Sequence, residues 1–104
     1  MKPLSVSALA VLGAISRAIR YGFDIMDATG LPSGTVYPVL GRLERDGYVR
    51  SRWESPTLAQ REKRPPRRYY EITASGARAL AASAEHYRTV GTRLGLPARK
   101  SASE

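Results

Sequence analysis

The sequence predicts a mainly α-helical fold with one small β-hairpin, an α+β domain in which three helices precede the hairpin and one long helix follows it. Three patterns carry that prediction. Apolar residues recur at helical spacing over 4–19, 23–28 and 33–46; the pattern switches to period two over 48–54 and 68–73; and a stripe stepping by three and four residues runs over 77–94. The 104 residues amount to one domain. A chain this short buries only about two-thirds of the surface it exposes when unfolded, so association with a second copy would help it.

In the first helix Leu9, Leu12, Ile15 and Ile19 form the core stripe, widened by Val11 and Ala18, and Ser5 or Ser7 can cap its start. Tyr21-Gly22 breaks the chain. Phe23, Ile25, Met26 and Ala28 then form a short second helix that stops at Gly30, a natural left-handed terminator. Ser33 is the expected N-cap of the third helix, where Val36, Leu40 and Leu43 point inward and Gly47 ends the run. Pro38 cannot donate to the carbonyl of Gly34, which predicts a loosened or bent first turn.

Residues 48–54 and 68–73 pair as the hairpin. Their connection, 55–67, contains three prolines and enters the run Arg61-Glu62-Lys63-Arg64-Pro65-Pro66-Arg67-Arg68, which reads as a long, mobile, basic loop. Thr73 or Ser75 can cap the final helix. Its stripe of Ala77, Leu80, Ala84, Tyr87, Gly91 and Leu94 has the spacing of a heptad seam and marks a candidate dimer interface, although part of it could pack on its own domain. The organisation expected is a first unit over 1–73, a dimerisation helix of the same domain over 74–96, and a disordered tail over 97–104.

Seventeen Lys and Arg against nine Asp and Glu give a net charge of +8, which favours a polyanionic partner. The absence of cysteine excludes a disulfide framework, a thiolate zinc site and a cysteine nucleophile, and suits a reducing cytoplasm. No stretch approaches the roughly 20 apolar residues that span a bilayer, so no membrane partner is expected. Asp24 and Asp27 share a helix face without a third ligand, and His86 has no nucleophile beside it, so neither a metal, a cofactor nor catalysis is expected.

Three helices, a hairpin and a helix form the order of the winged helix-turn-helix, whose third helix enters the DNA major groove. That assigns the groove helix to 33–46. Ser33, Gly34 and Thr35 at its start suit close approach to a phosphate, while Tyr37, Pro38, Gly41, Arg42 and Arg45 lie away from the core stripe. Lys63, Arg64 and Arg67 in the wing are placed for phosphate or minor-groove contact.

The stretch from Leu31-Pro32-Ser33-Gly34-Thr35-Val36-Tyr37-Pro38 through Leu40-Gly41-Arg42-Leu43-Glu44 to Gly47 resembles the signature of the PadR-like transcription regulators. Arg67-Arg68-Tyr69-Tyr70-Glu71-Ile72-Thr73 and Tyr21-Gly22-Phe23-Asp24-Ile25 resemble two further segments of that family, so the likeness spans roughly residues 4–80. It implies a cytoplasmic bacterial repressor, dimeric through its first and last helices, on a pseudo-palindromic operator of double-stranded DNA. It also implies DNA contacts from Thr35 and Tyr37, with Lys63 and Arg64 reaching the minor groove, and it brings in Tyr21. Phe23 departs from the family's tyrosine and has no hydroxyl to offer a phosphate. The single C-terminal helix resembles the shorter branch of the family.

Other readings of single residues stay open at this point. Tyr37 could be a packed aromatic, and Trp53 reads first as packing against helix one or three and second as a contact for a small-molecule effector. The alternative function is a winged helix that binds RNA or docks a protein, since the fold does not dictate its ligand.

Overall fold

A computed structural model describes residues 2–96, and the tail expected over 97–104 lies outside the described residues. The elements are α1 Val6–Ser16, α2 Gly22–Thr29, α3 Ser33–Arg45, β1 Val49–Trp53, α4 Pro56–Arg61, β2 Arg68–Ile72 and α5 Ala74–Arg93.

Ser5 caps α1, its hydroxyl accepting the N–H of Ala8 at 3.2 Å. This helix stops at Ser16, short of the expected Ile19, because the chain must turn here to reach the hairpin edge. Ala18 takes a left-handed φ of 66° at that turn, and the N–H of Ile19 bonds the carbonyl of Ala14 at 3.1 Å. Ile19 therefore reaches the core from the turn instead of from the helix. Gly30, with φ 74°, ends α2 as expected.

The N-cap of α3 is Pro32, not Ser33, and no side chain caps the helix. Pro32 is already extended, and its carbonyl accepts the N–H groups of Thr35 and Val36, both at 3.0 Å. The first turn is thus closed, and α3 continues through Pro38, whose ring is exposed to solvent. Buried Val36, Val39, Leu40 and Leu43 face Val11, Leu12 and Ile15 of α1, with Ile25, Val49 and Tyr70 completing the core.

β1 and β2 pair antiparallel with Val49 opposite Ile72, Ser51 opposite Tyr70 and Trp53 opposite Arg68 on one face. Arg50 opposite Glu71 and Arg52 opposite Tyr69 occupy the other, where Arg52 and Glu71 form an exposed ion pair at 3.1 Å. A third edge comes from the chain before α2: Tyr21 bridges Tyr69, and Tyr70 donates to the carbonyl of Arg20 at 2.9 Å. The expected loop over 55–67 is partly helical. Pro56 opens α4 at a position where a missing N–H costs nothing, and Ala59 on it is buried.

Thr73 caps α5, and Gly76, Ala79 and Ser83 form its buried face. The Ser83 hydroxyl accepts the N–H of Leu4 at 3.0 Å, and the Tyr87 hydroxyl donates to the carbonyl of Leu4 at 2.6 Å. Leu80 packs against the same core. Two members of the expected seam, Leu80 and Tyr87, therefore hold α5 to its own protomer: the inward stripe is rotated toward Gly76, Ala79 and Ser83. Ala77 and Leu94 are exposed, while Ala84 and Gly91 are half-buried.

Candidate nucleic-acid interface

With its four apolar residues turned inward, α3 presents Gly34, Pro38, Gly41 and Arg45 on the opposite side, all exposed. A Cβ at Gly34 or Gly41 would meet nothing within 4 Å, so this strip is smooth and a second surface can approach the backbone closely. Exposed Tyr37 and Arg42 flank it, as do Ser33 at the N-terminus and half-buried Thr35. Gly41 and Arg45 belong to the centre of this face, although neither stood among the candidate DNA contacts. A helical projection from the core stripe finds both.

Tyr37 is 51% exposed, so it lies outside the hydrophobic core and its ring has a face open to solvent. Its ring lies against the backbone of Gly22, where a Cβ would stand 2.6 Å from the ring edge. Glycine at 22 thus lets the first turn of α2 touch the hydroxyl end of the Tyr37 ring. Beyond the ring opens a cleft of about 540 Å³ that runs from Tyr21 and Phe23 past Tyr37 to Trp53, Arg67 and Arg68 of the hairpin. Trp53 is 66% exposed and forms a wall of this cleft, so it is not packed into the core against helix one or helix three.

The cations of the wing differ in what they do. Lys63 and Arg67 are exposed, and the guanidinium of Arg67 stands 4.8 Å from the centre of the Tyr21 ring. Arg68 reaches Glu44 at 3.2 Å and the Ser51 hydroxyl at 2.7 Å, and lies over the Trp53 ring. Arg64 is turned inward. Its two terminal nitrogens bind the two carboxylate oxygens of Glu54, the second at 2.9 Å, so Arg64 borders the cleft as an ion-pair partner and not as a free cation. The cause is Glu54 itself, a carboxylate shut away from water that requires a cation beside it.

Arg64 holds the Glu54 carboxyl down to about 2, against the opposing effect of burial. The ion pair in turn raises Arg64 above its ordinary range. Tyr69 is pushed up to about 12, first by its hydrogen bond with Tyr21, then by burial and by Glu54. Tyr21 and Tyr69 are tilted together with ring centres 4.6 Å apart. Tyr21 therefore lines the cleft while acting as part of the hairpin edge. Among the described residues, no group of three or more His, Cys, Asp or Glu is placed to hold a metal ion, and no helix is long and apolar enough to cross a membrane.

A three-helix core with an antiparallel wing beside its third helix and a long helix after it is the winged helix-turn-helix of transcription regulators. The model of the transcriptional regulator PadR-like family matches residues 11–82, and the chain belongs to that family. No curated protein is similar enough in sequence to count as a match. Among solved structures, a PadR family transcription regulator from Clostridium difficile R20291 superposes with a TM-score of 0.76 at 19% identity, covering 88% of this chain and 96% of that one. A PadR-like regulator from Bacillus cereus ATCC 14579 gives 0.70 at 24% identity over 86% and 88% of the two chains. BpsR of Bordetella bronchiseptica, whose DNA binding is described as regulated by 6-hydroxynicotinic acid, gives 0.68 at 16% identity over 86% and 64%. These likenesses are of fold.

Proposed function

We propose that this PadR-family regulator is a cytoplasmic repressor that binds a pseudo-palindromic operator as a homodimer, with α3 in the major groove and the wing on the flanking backbone or minor groove. The observation that carries this reading is the single cleft on which Tyr37 of α3, Tyr21 before α2 and Arg67 of the wing converge. Gly34, Pro38, Gly41 and Arg45 give α3 a flat face for the groove, with Ser33 and Thr35 at its start and Arg42 at its flank; Lys63 and Arg67 supply the wing's phosphate contacts.

The homodimer rests on apolar surface without a cover in one protomer. Val6 on α1 is 67% exposed and Leu94 at the end of α5 is 71% exposed, while Ala77, Ala84 and Gly91 leave one edge of α5 narrow enough for close helix approach. We assign a small-molecule effector to the cleft beside Trp53, a reading supported by its size, which falls in the range of ligand pockets. An occupant there would meet Tyr37 and Arg67, the residues given to DNA, and so would release it.

The test is binding of the purified protein to DNA from just upstream of its own gene, titrated against unrelated DNA at two salt concentrations. A preference of about a thousandfold or more is expected, with affinity falling steeply as salt rises. Tyr37→Ala should cost about 1–3 kcal/mol and relax specificity, whereas Lys63→Ala should weaken all sequences alike. Equal binding of Tyr37→Ala and wild type would remove α3 from the groove.

A further inference from the structure

We infer that Glu54 is the positioning residue of the wing: its buried carboxylate sets where the wing's cations stand relative to α3 without itself touching DNA. This rests on the DNA-binding reading above and deepens it. Glu54 follows exposed Arg52 and Trp53 and precedes exposed Ser55, yet it retains only 3% of its surface. An acid so enclosed in a basic segment is costly unless every oxygen is partnered, and here the partners come from the far arm of the wing.

Arg64 grips both carboxylate oxygens. The N–H of Arg67 donates to one at 3.4 Å, and the Tyr69 hydroxyl donates to the other at 3.2 Å. Glu54 closes the ring with its own backbone, donating to the carbonyl of Arg67 at 2.7 Å. The chain needs the left-handed turn at Lys63, φ 56°, to send Arg64 inward while Lys63 remains outside. Tyr69 carries the constraint onward, because its ring leans against Tyr21 and its backbone is bridged to it beside the Tyr37 cleft. One carboxylate thus joins both arms of the wing and ties them to the edge of the recognition-helix site.

The proposal predicts a sign opposite to that of simple charge. Glu54→Gln removes an acid near a polyanion-binding face and raises the net charge from +8 by one. Simple electrostatics would tighten DNA binding and steepen its salt dependence. Loss of the positioning role instead weakens operator binding by about tenfold and flattens the slope of log K against log salt by about one, as one or two phosphate contacts disengage. Arg64→Lys keeps the charge unchanged but cannot match the two-pronged geometry, so it should move both quantities the same way.

Amide hydrogen exchange in the free protein provides the arm that does not need DNA. Faster exchange at Glu54 and Arg67 in both variants, with the helical core amides unaltered, is expected. If wild type binds no DNA at all, the regulator reading fails while this exchange result still decides whether Glu54 organises the wing. Unchanged exchange, or operator binding that is tighter or equal in both variants, overturns the proposal. Should Glu54→Gln fail to fold, Arg64→Lys alone decides by the same two readouts.

Discussion

Gly76→Ala tests the crossing that fixes α5 to the rest of the molecule. A Cβ at this position would stand 2.0 Å from the carbonyl oxygen of Tyr48 and 2.9 Å from the Ile72 side chain. Carbon and carbonyl oxygen stay about 3.3 Å apart or more, so α5 would have to retreat by roughly 1.3 Å. The oxygen cannot yield, because it already accepts the N–H of Thr73 at 3.0 Å. Thr73 is itself held by its hydroxyl, which donates to the carbonyl of Gly47 at 2.7 Å and accepts from Gly76 at 3.0 Å. Overpacking costs about 1–3 kcal/mol, and the upper end applies where backbone must move. Alanine returns up to about 1 kcal/mol of helix propensity. The expected net loss is about 2 kcal/mol, which lowers Tm by about 8–16 °C in a domain of this size. Gly41→Ala is the control: it is also within a helix but meets nothing within 4 Å, and should stabilise by about 0.5–1 kcal/mol. Both are read by thermal melting at one fixed protein concentration, since association would make Tm concentration-dependent. Gly76→Ala melting at or above the wild-type temperature would refute the close crossing of α5 over the hairpin.

Gly22→Ala should displace the Tyr37 ring, whose edge lies 2.6 Å from the added carbon, without deleting any group offered to DNA. Because the far end of a side chain can swing away, the fold survives, but discrimination of operator from unrelated DNA should fall by about 1–3 kcal/mol in a competition assay. The second concerns acid. The folded-state carboxyl of Glu54 lies at about 2, below its ordinary 4.5, so its contribution to stability is complete above pH 4.5 and fades as pH falls toward 2. The stability gap between wild type and Glu54→Gln, measured by urea unfolding, should therefore be constant from neutral pH to about pH 5 and narrow below it. A gap that stays constant down to about pH 2.5 would show that the carboxylate gains nothing from its partners.

Helix periodicity was legible wherever one stripe meets one core: Val36, Leu40 and Leu43 occupy the positions their spacing implies. Boundaries were less so, because they depend on where the chain must go next. Ala18 fits a helical stripe by composition, yet a turn toward the hairpin edge forces it left-handed. In α5 the steps of three and four fit two adjacent faces equally well. Which one turns inward was decided by contacts remote in sequence, from Leu4 to Ser83 and Tyr87, and from Tyr48 to Gly76. Of the DNA-contact residues expected, Tyr21, Tyr37, Arg64 and Arg67 line one cleft, Arg64 as the ion-pair partner of Glu54 and not as a free cation.

Arg64 shows why a run of like charges is a poor guide to what each member does. In sequence, Arg61, Lys63, Arg64, Arg67 and Arg68 are alternatives to one another, and the only acid within the run is Glu62. In three dimensions the deciding acids lie outside it: Glu54 takes Arg64, and Glu44 takes Arg68. Those pairings leave Arg61, Lys63 and Arg67 on the surface, and the Glu54 pairing also holds the backbone of Arg67. A wing ordered before it meets DNA has less conformational entropy to lose on binding. Acids within a basic wing, which reduce its attraction for DNA, can therefore increase its affinity for one particular arrangement of phosphates.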